Sequence, residues 1–316
     1  MDAPFISVVI PTYNEGQRLP RFVAELARVF LERPSPPVRF TVVDDGSAPE
    51  HTPLQRACVE EAQARLAAQG APHRFTYVAA PRNQGQGSAI RLGWRDAPAG
   101  ATWLAFLDAD RAISAEEFHR LVELAASPTG CDVDVIAGSR ILMAGRRVVR
   151  NLHRHLPGRV FATLTDSHFG LHFYDTQCGV KLIRASRLRP LLDGLREERW
   201  LLDIELLVLL KRQGARALEV PIEWKDFGGF KVIPGAVPHG VVIVRNAPAG
   251  YSTFGTTAPQ AQRPVPPTCH AETPGAPGAP PRRPRARPAP AWCATRPTAS
   301  PRRTARPATP AERRAP

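Results

Sequence analysis

The stretch Thr102-Trp103-Leu104-Ala105-Phe106-Leu107-Asp108-Ala109-Asp110 is an apolar run that stops abruptly at two acids. A short run of bulky residues followed by acids predicts a buried strand that leads into a turn. Because residues two apart on a strand share a side, both carboxylates can converge on one point. Carboxylate oxygens suit Mg²⁺ or Mn²⁺, which often bridge to a diphosphate. The competing interpretation is a solvated turn or helix cap, since Ser114 and Glu117 have the spacing of a capping box.

Segments that predict strands alternate with segments that predict helices on both sides of this stretch. The predicted strands cover residues 5–10, 38–43, 74–79, 102–107, 134–138 and 217–224, with one more following residues 174–181. The predicted helices cover residues 17–31, 52–68, 185–192 and 197–211, and one more ends near residue 95. Pro11 is expected to stop the first strand and Thr52 to cap the second helix. This rhythm predicts an α/β fold with a doubly wound, mostly parallel sheet flanked by helices, whose strand-end loops share the edge where ligands bind.

Residues 146–164 are basic and amphipathic, with helical spacing. Arginines and histidines are interleaved with Val, Leu and Phe along this segment. One interpretation is a solvated cationic face. The other is a surface for an anionic lipid or a phosphate group. The pattern alone leaves both open.

The net charge of +13 is concentrated at the C-terminus. From Thr256 onward the chain has eleven Arg and two Glu, or +9, which leaves +4 for the first 255 residues. This tail lacks the apolar residues that a core needs, so we expect it to be disordered; a basic arm for nucleic acid or anionic lipid and a shifted reading frame are the alternatives. The predicted organisation is a folded domain at 1–234, an uncertain linker at 235–255 and the tail at 256–316.

The five cysteines form no Cys-x-x-Cys pair, and their spacing indicates neither a zinc site nor a disulfide framework. A reducing cytoplasm fits this usage. The chain enters its first strand without a basic and apolar leader, so we expect no signal peptide. No stretch reaches the roughly 18 apolar residues of a membrane span.

Eight motifs, taken in order, resemble one known family. They are Val8-Val9-Ile10-Pro11-Thr12-Tyr13-Asn14-Glu15, Val43-Asp44-Asp45-Gly46-Ser47, Asn83-Gln84-Gly85-Gln86-Gly87, Asp108-Ala109-Asp110, Gly138-Ser139-Arg140, Asp175-Thr176-Gln177-Cys178-Gly179, residues 199–205 and Val220-Pro221-Ile222-Glu223-Trp224. Over residues 5–232 the chain is similar to inverting family 2 glycosyltransferases of the GT-A fold. The later motifs look like the polyprenyl- and dolichyl-phosphate hexosyltransferases, closest to the dolichyl-phosphate glucosyltransferase branch.

The resemblance implies a nucleotide-sugar half at 5–112, an acceptor half at 113–234 and roles for individual residues. The implied nucleotide-sugar contacts are Pro11, Tyr13, Glu15, Asp45, Asn83, Gly87 and Asp108, with the first three and Asp45 around the base and ribose. Asp108 and Asp110 would hold Mg²⁺ or Mn²⁺ against the diphosphate. Asp175 and Gln177 would contact the sugar. The candidates for the acceptor phosphate are Arg140, Arg150 and Arg154, since planar Arg donors grip phosphate in a bidentate way.

Four departures from the family pattern are visible. Gln86 stands where the family usually has Lys, and Val180 where it usually has Phe. An inserted residue displaces Lys231 from the position of a family lysine. The N-terminal membrane anchor of eukaryotic glucosyltransferase members is not seen.

The function implied is metal-dependent, inverting transfer of a hexose, with glucose from UDP-glucose as the favoured donor, to a polyprenyl phosphate. The partners would be the nucleotide-sugar donor, the lipid phosphate and the cytoplasmic membrane face, which the enzyme would contact peripherally; no nucleic acid partner is expected. A phosphate acceptor is already largely dianionic near pH 7 and needs no general base.

Three alternatives were weighed against this function. A polysaccharide or protein hydroxyl acceptor would need a base, and Asp203 is then the candidate, on a helix face shared with Trp200; the simpler interpretation is that Asp203 only orders its helix. A non-enzymatic basic adaptor for nucleic acid or membrane would depend on the tail. A dinucleotide oxidoreductase is disfavoured, because no Gly-x-Gly-x-x-Gly follows the first strand.

Overall fold

The computed structural model describes residues 4–141, 148–149 and 168–225. All of these residues belong to the first of two compact units, Met1–Thr256. Arg150, Arg154, Lys231 and the C-terminal tail lie outside the described residues, as does most of the basic segment 146–164. The proposed division at residues 234 and 255 therefore stays a prediction.

The described elements follow the predicted alternation. The strands are β1 (Ile6–Thr12), β2 (Val38–Asp44), β3 (Arg74–Ala79), β4 (Trp103–Leu107), β5 (Val135–Ser139), β6 (Val148–Val149), β7 (Val180–Arg184), β8 (Ala217–Pro221) and β9 (Trp224–Lys225). The helices are α1 (Leu19–Glu32), α2 (Thr52–Ala68), α3 (Gln86–Arg95), α4 (Ala115–Ala126), α5 (Pro128–Cys131), α6 (Ala185–Leu188), which continues into a 3₁₀ turn at Arg189–Leu191, and α7 (Leu202–Arg212). Within the described residues, no helix combines the length and hydrophobicity needed to cross a membrane.

Seven strands form one mixed sheet in the order β3-β2-β1-β4-β7-β5-β8. Most neighbours are parallel, which confirms the predicted α/β fold with a mostly parallel sheet. Strand β7 is the exception, since it runs antiparallel to both β4 and β5. Its first residue, Val180, pairs with Leu107 at the carboxyl end of β4. The loop before β7 therefore reaches the edge of the sheet where Asp108 lies.

Helices cover both faces of this sheet, as a parallel sheet requires. On one face, α1, α2 and α4 bury aromatic residues such as Phe22, Phe40 and Phe118. On the other face, α3, α6 and α7 pack around Trp94 and Phe106. The indole of Trp94 also donates a hydrogen bond of 3.0 Å to the carbonyl of Ala105. Both cores hold the strand ends, and the loops that follow them, in fixed positions.

Strand β1 runs through Pro11 to Thr12, so the prediction that Pro11 ends it was wrong. The pairing of β1 with β4 stops at Val9, whereas its pairing with β2 continues to Thr12. The Thr12 carbonyl accepts the Asp45 N–H on the β2 side. Since N–H groups alternate sides along a strand, Pro11 lacks its donor on the side that β4 has already left, which is where a strand tolerates proline.

The helix predicted at 197–211 begins only at Leu202. Residues before it form a loop, because the Glu205 carboxylate accepts the N–H groups of Arg196 and Glu197 at 3.0 and 2.9 Å. Trp200 therefore does not share a helical face with Asp203, contrary to the prediction. Asp203 contacts Lys181, whereas Glu205 binds the N–H groups before the helix, so the two acids point to different partners.

The predicted starts of α2 and α4 were each correct in part. Thr52 is the first residue of α2 instead of its cap, and its hydroxyl donates to Asp44 Oδ2 at 3.1 Å. Ser114 does cap α4, with its Oγ accepting the Glu117 N–H at 3.1 Å. The carboxylate of Glu117 turns away to Arg120, so only half of the capping box forms.

Two short segments differ from their predicted elements. Val148–Val149 is a strand, β6, inside the segment predicted as a basic helix. It pairs in parallel with Trp224–Lys225, which are separated from β8 because that strand ends at Pro221. The predicted single strand at 217–224 is thus divided between two sheets, and proline at the break removes a ladder donor.

Candidate active site

Asp44 ends β2 and is saturated by neutral donors. Its carboxylate accepts the Ser47 N–H at 2.9 Å and the Tyr77 hydroxyl at 2.6 Å, in addition to the Thr52 hydroxyl. Burial alone would raise the pKa of Asp44, but the hydrogen bonds from Ser47, Tyr77 and Thr52 outweigh it and lower the pKa. Asp44 is therefore an ionised carboxylate that fixes the turn after β2.

Asp45 holds the loop between β3 and α3 by accepting backbone hydrogen bonds. One oxygen accepts the Gln84 N–H at 2.9 Å and the other the Gly85 N–H at 2.7 Å. Burial raises the pKa of Asp45, and these two bonds oppose the shift. The predicted contact of Asp45 with the nucleoside would have to use the lone pairs that the two backbone bonds leave.

Gly85 lies where the loop 195–201 crosses the start of α3. Its φ is 106°, and a Cβ there would lie 2.4 Å from the Glu198 carbonyl oxygen. The same carbonyl accepts the Ser88 N–H at 2.9 Å. Gly87, a predicted nucleotide contact, is buried in the first turn of α3 with the Arg199 carbonyl against it. Asn83 is exposed just before this turn.

The loop after β1 meets the loop after β2. The Asn14 N–H donates to Ser47 Oγ at 2.8 Å, and Asn14 Oδ1 accepts the Ala48 N–H at 2.9 Å. Of the predicted nucleotide contacts in this loop, Tyr13 is 49% exposed and Glu15 forms an ion pair with Arg18. These contacts place the ends of the first two strands side by side.

Asp108 and Asp110 follow β4 at the same edge of the sheet. The Asp108 N–H donates to the Gly179 carbonyl at 2.9 Å, and its Oδ1 accepts the Gln86 amide at 2.8 Å. Asp110 Oδ1 accepts the Ala112 N–H at 2.9 Å, so this residue also caps its turn. The interpretation as a turn thus describes part of the structure, and the metal site stays a prediction.

The electrostatics of Asp108 fit a divalent cation. Burial raises the pKa of its carboxyl well above the usual range, and the neighbouring charges of Asp110 and Asp203 raise it further. Lys181 and Arg140 offset only part of this. Among the described residues, no group of three or more His, Cys, Asp or Glu is arranged as a metal site. Two hard oxygen donors that repel each other nevertheless match the small protein contribution that Mg²⁺ or Mn²⁺ needs beside a diphosphate.

Arg140 and Asp175 form a bidentate ion pair next to this edge. Arg140 Nε and Nη2 donate to the two Asp175 oxygens at 2.6 and 2.7 Å, and the Arg140 N–H adds a bond of 3.0 Å. Nη2 also donates to the Gln177 carbonyl at 2.9 Å, while the guanidinium lies 5.8 Å from the Trp224 ring centroid. Burial alone would raise the pKa of Asp175, but Arg140 lowers it to about 2. The pair is therefore charged and rigid.

Glu219 supports this pair and was missed from the sequence. Its carboxylate accepts the N–H groups of Tyr174 and Asp175 at 2.8 and 2.7 Å. The available signal was an acid flanked by apolar residues in the predicted strand at 217–224. Such an acid needs a partner when it is half buried, and here the partner is the backbone that carries Asp175.

Asp203, the candidate general base, is paired with Lys181. Lys181 is fully buried on β7, and its Nζ lies 2.5 Å from Asp203 Oδ1 and 3.1 Å from the Cys178 carbonyl. Burial raises the pKa of Asp203, and Lys181 opposes that shift. The family motif quoted above ends at Gly179, and no role was predicted for Lys181.

Known proteins resemble this chain along most of the described region. Residues 7–192 match the family described as Glycosyl transferase family 2. A dolichyl-phosphate beta-glucosyltransferase from Drosophila melanogaster is 31% identical over 237 residues, 72% of this chain and 69% of the relative. The protein of the same name from Saccharomyces cerevisiae is 28% identical over 72% of this chain and 69% of the relative.

A solved structure supports the fold. Glucosyl-3-phosphoglycerate synthase from Mycobacterium tuberculosis, in complex with Mn²⁺, UDP and glucosyl-3-phosphoglycerate, has a TM-score of 0.53 and 17% identity, covering 80% of this chain and 82% of that chain. At that identity the likeness extends to the fold alone. The matched family and the relatives agree with the motifs at the sheet edge: the chain belongs to glycosyl transferase family 2 and is a glycosyltransferase related to the dolichyl-phosphate β-glucosyltransferases.

Proposed function

We propose that the protein transfers a glucosyl group from UDP-glucose to a polyprenyl or dolichyl phosphate, with inversion and with Mg²⁺ or Mn²⁺ as cofactor. The observation that carries this proposal is that Asp108, Asp110 and Arg140 converge at one edge of the sheet. The two carboxylates follow β4, and the guanidinium, of opposite charge, follows β5. The names of the relatives support the donor and acceptor classes.

On the donor side, Asp108 and Asp110 would hold the divalent ion. When bound, such an ion supplies positive charge that stabilises the leaving diphosphate. Tyr13 presents an exposed ring beside the rigid loops after β1 and β2, which suits contact with a base and ribose. Asp45 would join that contact while it holds the loop that leads into α3.

On the acceptor side, Arg140 would orient a phosphate. Asp175 keeps the guanidinium in one orientation through Nε and Nη2. Asp175 and Gln177, in the same loop, would contact the transferred sugar. A lipid phosphate attacks as a dianion, so this arrangement needs no residue to remove a proton. Arg150 and Arg154 remain proposed phosphate contacts from the adjacent basic segment.

A hydroxyl acceptor is the second candidate, and Asp203 is the observation that favours it. Burial raises the pKa of this carboxyl, which is the direction that suits a general base near neutral pH. Its bond to Lys181 is the argument against that role, because the carboxylate already has a charged partner. We therefore rank the phosphate acceptor first.

The proposed acceptor implies where the enzyme works. A polyprenyl phosphate is embedded in a membrane, so the enzyme would contact the cytoplasmic face peripherally. The basic segment 146–164 is the proposed contact, because its arginines would attract anionic headgroups. No nucleic acid partner is proposed.

The test is transfer of radiolabelled glucose. Purified protein with Mn²⁺ is given UDP-glucose or GDP-mannose, with either a short polyprenyl phosphate or a soluble sugar as acceptor, and label is followed into the organic phase for the lipid and into the soluble glycoside for the sugar. We expect metal-dependent label from UDP-glucose in the lipid product and none when metal is removed. Transfer to the soluble sugar alone, with the lipid inactive, would replace the phosphate acceptor by a hydroxyl.

A further inference from the structure

Strand β7 carries a cation near each end, and the two have similar surroundings. Lys181 pairs across the sheet with Phe106 and its Nζ lies 5.3 Å from that ring centroid. Arg184 pairs with Trp103, with its guanidinium carbon 4.2 Å from the ring centroid, and it binds the carbonyls of Gly130 and Val133. Only Lys181 lies at the edge that holds Asp108.

A short series of contacts links Lys181 to Asp108. Its Nζ donates to the Cys178 carbonyl at 3.1 Å, an oxygen that also accepts the Val180 N–H at 2.8 Å. These two bonds tighten the turn around Gly179, whose own carbonyl accepts the Asp108 N–H. The turn presses on the carboxylate itself, since a Cβ on Gly179 would lie 2.1 Å from Asp108 Oδ2.

The second bond of Lys181 links the turn to α7. Asp203 lies in the first turn of that helix, and the loop before the helix packs on Gly85 and Gly87. Lys181 thus joins three pieces: the Cys178–Val180 turn, the start of α7 and, through them, Asp108. The pair with Asp203 is neutral in net charge, so its effect on the site is mainly one of position.

We propose that Lys181 is a positioning residue for the metal-binding carboxylate Asp108, and that Asp203 serves as its counter-ion. The inference rests on the proposed metal-dependent function. Residues that orient a metal ligand typically change metal affinity about 10–100-fold when they are replaced. Lys181 is expected to behave in this way although it never contacts the ion.

Two variants test whether Lys181 acts on Asp108 through its position or through its charge. Lys181→Met removes the cation and leaves Asp203 buried without its partner, which risks unfolding. Lys181→Met with Asp203→Leu removes both charges, keeps the net charge and replaces a buried ion pair by apolar groups, a change that proteins often tolerate. Arg184→Met is the matched control, because it removes the other β7 cation above an aromatic ring.

The measurement is Mn²⁺ affinity in the presence of UDP, followed by the paramagnetic resonance of free Mn²⁺ on the folded full-length chain. We expect the Kd for Mn²⁺ to rise about tenfold in the double variant, and turnover to fall more at limiting than at saturating Mn²⁺. Arg184→Met is expected to lower the melting temperature and leave Mn²⁺ affinity unchanged.

Two outcomes would overturn the inference, for different reasons. If the double variant binds Mn²⁺ as the wild type does, Lys181 is only structural, and the proposed function stands. If wild type and Asp110→Ala bind Mn²⁺ equally, the metal site itself is wrong, and the positioning role is lost with it.

Discussion

The carboxylates of the nucleotide half and those beside β4 are all at least partly buried. They differ in the groups that stabilise their negative charge. Asp44 and Asp45 accept only N–H and O–H groups of the protein. Asp175 and Asp203 instead face cations, the partly buried Arg140 and the fully buried Lys181. Asp108 accepts the amide of Gln86, and the charges of Asp110 and Asp203 act on it more strongly than those of Lys181 and Arg140.

This difference separates scaffold from site. A carboxylate that already accepts hydrogen bonds from the protein has fewer lone pairs left for a ligand and is held in place before the ligand binds. A carboxylate surrounded by other acids is stabilised by any added cation. The loops after β1 and β2 are therefore expected to be shaped before substrate binds, whereas the edge at β4 is expected to be completed by metal and substrate.

The largest expected effect comes from removing one of the carboxylates that follow β4. Asp110→Ala should lower transfer by more than about a hundredfold, since even residues that only orient metal ligands cost about 10–100-fold. Asp96→Asn is the control, because Asp96 is an exposed partner of Arg39 away from the edge. The assay is the metal-dependent transfer of labelled glucose. Equal losses in both variants would show that activity tracks general damage.

The next prediction concerns the packing of the loop that leads into α3. Gly85→Ala puts a side chain at φ 106° and within 2.4 Å of the Glu198 carbonyl. Strain of this kind costs about 1–3 kcal/mol, and the clash adds to it, so the free energy of unfolding should fall by about 2 kcal/mol or more. Gly100→Ala meets no heavy atom within 4 Å and should be neutral. Urea unfolding of both variants is the measurement, and equal stabilities would contradict the packing of this loop.

A smaller effect is expected from Glu219, which supports the acceptor side indirectly. Glu219→Gln removes the charge, and a single amide oxygen must replace two carboxylate oxygens on the Tyr174 and Asp175 N–H groups. Arg140 would lose its fixed orientation, so we expect KM for the lipid phosphate to rise about tenfold, or ~1.4 kcal/mol. KM for UDP-glucose should stay the same. Glu32→Gln, at an exposed ion pair with Arg28, is the control. An increase confined to the donor KM would contradict this role.

A further prediction concerns the pH dependence of the stability of the nucleotide half. His73 Nδ1 accepts the Val38 N–H at 3.2 Å, and burial, with His119 nearby, lowers the pKa of His73 from 6.5 to about 4. The unfolded chain then binds a proton first, so stability should fall as pH drops from about 6.5 to about 4, by at most about 1.4 kcal/mol per unit. Arg74 and the Phe30 carbonyl also face this imidazole, in opposite senses.

The variant that checks this window is His73→Gln, whose amide oxygen can still accept the Val38 N–H. Its stability should be flatter between pH 6.5 and 4 than that of the wild type. Asp175 acts in a separate window, since its pKa of about 2 lies below the usual 3.8. Parallel curves for wild type and variant would exclude His73 as the source.

The sequence predicted the strands of the first half closely, because each is an apolar run bounded by proline or acids. Strand β3 matches its predicted bounds, and β2 extends only one residue further. The direction of β7 could not be predicted, since Val180–Arg184 is compatible with either orientation. Its orientation depends on pairing with both β4 and β5, which are distant in the chain.

The site was predicted less completely than the fold, for a physical reason. Patterns treat charged residues as exposed, so the contacts of the buried Lys181 were not predicted, and the position of Glu219 within an apolar strand did not reveal its backbone partners. The helix predicted at 197–211 was too long because its spacing continues through Trp200. The pattern does not show that the Glu205 carboxylate accepts N–H groups of residues before the helix, so that the helix begins only at Leu202.

The most direct test of the contrast between the two groups of carboxylates is a crystal structure with Mn²⁺ and UDP, with an anomalous difference map calculated from data collected at the manganese absorption edge. We expect one strong peak within coordination distance of Asp108 and Asp110, and no peak at Asp44 or Asp45. A peak at Asp44 or Asp45, or bound UDP with no manganese beside Asp108, would contradict the account.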